Sequence, residues 1–73
     1  MFQPDNNTVS SSLPTPSPAG TPGYFTNGNP VTGTPATMVD ADWLNMITME
    51  LINVAKKAGI TPDKANYGQL AQS

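Results

Sequence analysis

Cysteine, histidine and arginine are absent from these 73 residues. Their absence removes disulfide bridges, the thiol nucleophile, the imidazole acid–base group and the guanidinium clamp, together with the usual ligands of a structural zinc. Charge of either sign is scarce. Asp5, Asp40, Asp42, Glu50 and Asp63 stand against Lys56, Lys57 and Lys64, for a net charge of −2. A surface that tracks phosphates needs the opposite balance, so nucleic acid is excluded as a partner. No apolar run approaches the ~20 residues of a membrane span, which excludes membrane insertion of a helix. Met1-Phe2-Gln3-Pro4 also lacks the basic start and apolar stretch of a secretion signal, so the expectation is a chain not exported by that route.

Catalysis is excluded by the same scarcity. Acid–base work would fall to five carboxylates, three lysines and Tyr24 or Tyr67. Asp40 and Asp42 are two positions apart, which points their carboxylates to different sides of a helix, and helix capping accounts for them better than a catalytic pair. The glycines are scattered among prolines and form no phosphate-cradling loop. The acids are too dispersed for a metal site. No cofactor, no metal and no enzymatic role are expected of this chain.

What is present divides into two halves of opposite character. Residues 1–37 hold seven of the eight prolines, four of the six glycines and eleven Ser or Thr. Burial there cannot offset an ordering cost of roughly 1–2 kcal/mol per residue. Pro14, Pro16 and Pro18 alternate within SSLPTPSPAGTP, which favours extended polyproline geometry and makes residues 1–22 a stiff arm. The prolines are spaced two apart and no arginine flanks them, so a ligand for a proline-recognising domain is the weaker alternative. Asn6-Asn7-Thr8 matches a glycosylation acceptor, and in the absence of a secretion signal the match is fortuitous. Residues 23–39 form a looped docking segment that carries Tyr24 and Phe25. Asn27-Gly28 is a hairpin signal, but Asn29-Pro30 and Thr34-Pro35 would interrupt any following strand, which favours an irregular loop. Its two rings either cap this chain's own helix or dock on a partner, and the sequence supports both equally.

The second half is helical. Asp40 is a good N-cap, Asp42 adds negative charge to the first turn, and Lys56, Lys57, Gly59 and Ile60 are stop signals, predicting a helix over about 40–58. Leu44, Ile47, Leu51, Val54 and Ala58 are spaced three, four, three and four apart, which is a heptad seam. Trp43, Met46, Met49, Ile52 and Ala55 lie off that seam, so the helix is apolar nearly all round and should be buried on several sides. The polar first half is expected not to cover it. A folded chain this short hides only about 60% of its unfolded surface, and without disulfides or a metal the remaining support is partner subunits. A helix from a larger single-chain domain is the bland alternative. After the stop, Asn66 with Gln69 three residues on forms a capping-box pattern that predicts a short helix over about 66–72. So short a helix is marginal alone, and the chain is expected to continue or to dock at once. The fold class expected is mainly α, with a helical oligomerisation segment over 40–73.

The order of these features carries a resemblance. PGYFTNGNPVTGTPATMVDADWL, Pro22–Leu44, is followed by the helix and by AGITPDKANYGQLAQS. Over about residues 20–73 the chain resembles the N-terminal region of tail fibre proteins of tailed bacteriophages and prophages, which carry a similar PGYF segment, a GNPxTGTPAT turn region, a V-x-x-D/A-W-L-N helix start, and an A-G-I-T-x-D segment leading into a Q-L-x-Q-A helix. Residues 1–19 carry no such similarity. Family helices commonly have more Glu after the Trp-Leu-Asn step, where Met46, Ile47 and Met49 stand here. The resemblance implies a homotrimeric virion protein, made in the bacterial host cytoplasm, whose N-terminal part fastens to the baseplate or tail tip and whose distal part recognises the host. It implies that Pro22, Gly23, Tyr24 and Phe25 dock on a partner and that Trp43 and Leu44 open the packed helix. The alternatives are the N-terminal anchor of a polysaccharide-depolymerising tailspike, or a small free-standing baseplate or connector protein.

Overall fold

The computed structural model describes residues 1–73. Two helices, α1 (Ala41–Lys57) and α2 (Gln69–Gln72), pack on each other, and there is no sheet. The ends of α1 follow from side-chain and turn chemistry. Asp40 sits in extended geometry and its Oδ1 accepts from the Trp43 amide at 3.0 Å, satisfying one of the donors that a helix start leaves open. At the other end Gly59, at φ +79°, lets Gly59 N donate to Lys56 O at 3.0 Å and Ile60 N donate to Ala55 O at 2.9 Å. This is the paired arrangement of a Schellman turn, the stop that Gly59-Ile60 predicted.

The segment after α1 departs from expectation. Asn66 does not cap a helix with Gln69. Its amide donates to Asp63 O at 3.2 Å and its Oδ1 accepts from Gly68 N at 2.9 Å, while Asp63 Oδ1 accepts from Ala65 N at 3.0 Å. Two successive Asx turns therefore replace the first helical turn, and α2 starts only at Gln69. The Gln69 side chain is turned inward instead, and is one of three buried residues, with Ile52 and Ala55.

The loop ahead of α1 is a narrow arch. Asn29 and Thr34 exchange both backbone hydrogen bonds, at 2.8 and 3.0 Å, around Pro30–Gly33, and Thr37 N donates to Thr26 O at 2.9 Å. Asn27-Gly28 is not the turn, as the prolines argued, but one leg of the arch. Pro30 interrupts nothing, because it occupies a corner of the turn where no donor is needed.

The proline-rich arm does not project freely. It runs back along α1, from Met1 beside the Asp63–Gln69 turns to Ser17, whose amide donates to Asp42 Oδ2 at 3.1 Å. Leu13, Pro14 and Pro16 share a groove with Met46 and Met49. The expectation that the first half leaves α1 uncovered is corrected on that side. A segment too polar to form a core can still lie along a surface.

Even so, the chain remains under-buried. Its radius of gyration is 15.9 Å, against about 11 Å for a compact chain of this length. Its accessible surface is 6265 Å², about 1.4 times that of a compact monomer of the same mass.

Candidate partner-docking surfaces

Three surfaces emerge from this arrangement. The first is aromatic. The arch returns the chain to α1 so that Phe25 meets Trp43 edge-on, ring centroids 4.8 Å apart and planes at 82°. The neighbouring Tyr24 is 99% exposed, and Pro22 and Gly23 are exposed as well. The two rings expected to act together are thus divided. Phe25 caps this chain's own helix, and Tyr24 has no intrachain packing. Trp43 joins Phe25 while keeping 38% of its surface open.

The second surface is the heptad face of α1. Leu44 is 50% exposed, Val54 48% and Ile47 37%; Leu51 is half-buried and Ala58 exposed. The core residues Ile52 and Ala55 belong to the adjacent face, about 90° round the helix at ~100° per residue, together with the half-buried Asn45 and Thr48. One face is covered by intrachain packing, the next is open, and the arm flanks Met46 and Met49. The open face has a polar margin: Glu50, Asn53 and Lys57 border Val54 and Ala58 in a shallow groove that Ser73 closes. An apolar stripe with a charged edge is the anatomy of a protein contact.

The third surface is the arch tip, where Val31 is almost wholly exposed. Asn29 Oδ1 accepts from Val31 N at 3.0 Å and Thr32 Oγ1 lies 2.9 Å from Thr34 Oγ1, so the tip is held by its own polar groups. Sequence reasoning did not single out Val31, and it gave Gln69 a capping role instead of an inward one. A valine between Pro and Thr carries no periodic signal, and glutamine is ordinarily a surface residue. No cluster of acidic side chains gathers to hold a metal ion, and no helix is long and apolar enough to cross a membrane.

Comparison with known proteins gives two relatives. Over 46 residues, 63% of this chain, the sequence is 46% identical to StfP of Escherichia coli (strain K12), an uncharacterised protein, of which the match covers 22%. Over 32 residues, 44% of this chain, it is 50% identical to Tail fiber protein S of Escherichia phage Mu, of which the match covers 6%. The chain therefore spans less than a quarter of either relative's length. No family model and no solved structure matches. The resemblance to phage tail fibres is upheld by these two similarities.

Proposed function

We propose that this chain is the attachment end of a phage tail fibre: a non-enzymatic virion segment that self-associates through the open face of α1 and fastens to the baseplate or tail tip through the exposed Tyr24 segment. The similarity to a tail fibre protein supports a structural component of the phage tail. The observation that carries the reading is the uncovered stripe of Leu44, Ile47 and Val54 beside a core of only two buried apolar residues. A helix that presents an apolar stripe at heptad spacing reaches a stable state by packing that stripe on copies of itself. Three copies about the seam form a helical bundle, from which Tyr24, Pro22 and the arch tips face outward and are free to meet another virion protein.

Sedimentation of the purified chain at micromolar concentration tests the self-association: a trimer is expected, and a folded monomer overturns it. A map of the intact particle tests the attachment. Density for Tyr24 and Trp43 against a second tail protein is expected, and finding both rings facing solvent at the fibre's attached end overturns it.

A further inference from the structure

We propose that Asn27-Gly28 is a site of spontaneous covalent modification, deamidation to isoaspartate, and that the closed arch holds it unreactive, so that isoaspartate at position 27 is a one-way record of arch opening. The reaction is intramolecular. The Gly28 nitrogen gives up its proton to water and bonds to Asn27 Cγ, closing a cyclic imide, while the side-chain amide nitrogen takes up a proton and leaves as ammonia. Water then opens the imide at either carbonyl. Cleavage next to Cγ gives aspartate in a normal backbone. Cleavage at the main-chain carbonyl leaves the chain running through Cγ, as isoaspartate. Water is the only co-reactant.

The sequence confines this chemistry to one place. Attack needs a following residue with an N–H and little bulk, and Gly28 has no Cβ to obstruct ring closure. Asn29 precedes Pro30, whose nitrogen carries no hydrogen. Asn6, Asn7 and Asn66 precede the bulkier Asn, Thr and Tyr. Asn45 and Asn53 precede Met and Val inside α1, where the amides are held in the helix.

The structure adds the gate. Asn27 is exposed to water, whereas Gly28 is half-buried, alone among residues 2–41. The Gly28 amide donates to Thr26 Oγ1 at 3.2 Å, which engages the hydrogen that must leave. The opposite leg is packed against it: a Cβ built on Gly28 would lie 2.5 Å from Ala36 N and from Thr34 O. Both neighbours of the dipeptide are also held. Thr26 N donates to Thr37 Oγ1 at 2.8 Å and Thr26 O accepts from Thr37 N at 2.9 Å, while Asn29 exchanges its paired bonds with Thr34. Gly28 N therefore cannot swing onto Asn27 Cγ in the closed arch. Reaction waits on local opening and runs at a rate set by the open population. Isoaspartate adds one backbone carbon between two fixed points, and the leg packed against Thr34 and Ala36 has no room for it. An arch that opens and reacts in this way does not close again. The modification requires no partner and stands apart from the self-association of α1.

The test follows deamidation of the full 73-residue chain at neutral pH by peptide-mapping mass spectrometry that separates aspartate from isoaspartate at position 27, beside the same chain unfolded in urea. The folded chain is expected to react at least about tenfold more slowly than the unfolded one. Gly33→Ala leaves the reacting dipeptide intact and favours the open arch, because Gly33 sits at φ +73°. It should speed the reaction by about fivefold or more, with helix content unchanged. In the isoaspartate product the Thr34 amide should exchange at the rate of an open loop, whereas Asn27→Asp, with the same charge in a normal backbone, should keep the parent's protection. Equal rates in the folded and unfolded parent overturn the proposal, as does a Gly33→Ala chain that reacts no faster than the parent. A gain in rate that comes only with loss of α1 overturns the local gate. Retained Thr34 protection in the isoaspartate product overturns the one-way step.

Discussion

The ring of Phe25 stands edge-on to Trp43 at 82° and 4.8 Å, and this one contact ties the arch to the first turn of α1. Edge-to-face pairs contribute roughly 0.5–1.5 kcal/mol beyond the area they bury. Phe25→Ala should therefore lower stability by about 1 kcal/mol, which in a domain of this size moves Tm by about 4–8 °C. Trp43 is the only tryptophan, so its near-ultraviolet circular dichroism reads the loss directly. Tyr24→Ala, one residue away, should leave both Tm and the Trp43 signal unchanged, because Tyr24 packs on nothing in its own chain.

Gly28 and Gly33 both adopt positive φ, +72° and +73°, yet their substitutions should differ. A Cβ built on Gly28 would lie 2.5 Å from Ala36 N and from Thr34 O, both backbone atoms that cannot swing aside. A Cβ on Gly33 would meet open space. Gly33→Ala carries only the left-handed backbone penalty of about 1–2 kcal/mol, whereas Gly28→Ala carries that penalty and a steric conflict. Amide exchange at Asn29 and Thr34 should accelerate modestly in the first variant and reach the rate of an open loop in the second.

Asp40→Ala removes the acceptor for Trp43 N and a negative charge at the start of α1. Loss of such a cap costs about 1 kcal/mol, and here it frays the turn that carries Trp43. Helix content read by far-ultraviolet circular dichroism should fall, with Asp40→Asn restoring most of it because the amide oxygen still accepts.

The sequence was most informative where a residue type admits one local solution. Asp40, Gly59 and Ile60 specify how α1 begins and ends, and the structure places all three as their chemistry requires. The heptad spacing identified an apolar face, and that face is the open one, while burial within the chain fell on Ile52 and Ala55 beside it. Periodicity marks which side of a helix is apolar and not which neighbour covers it. The arm illustrates the converse. Alternating prolines exclude a core, yet Leu13 and Pro16 lie beside Met46 and Met49, a contact between segments distant in sequence that no local pattern encodes. Asn66 and Gln69 suit a capping box, and the same two side chains serve equally in an Asx turn and in an inward contact, Gln69 Nε2 donating to Thr61 O. Local pattern could not rank those uses, because the choice depends on the turn that Thr61 and Asp63 build ahead of Gln69.

Val54→Asp tests the open face with little disturbance of the intrachain core. Val54 is 48% exposed within one chain, so an aspartate there remains solvated in the monomer and should leave α1 folded. In an assembled bundle the same carboxylate, and its copies, would be withdrawn from water without partners, which is strongly unfavourable. Sedimentation should show self-association weakened at least about tenfold, the equivalent of 1.4 kcal/mol, while helicity stays that of the parent chain. Leu51→Asp should abolish association too, but Leu51 is half-buried within its own chain, so that variant should also lower helicity. If Val54→Asp associates as strongly as the parent, the heptad face is not the contact, and the uncovered stripe must be met by a protein other than a second copy.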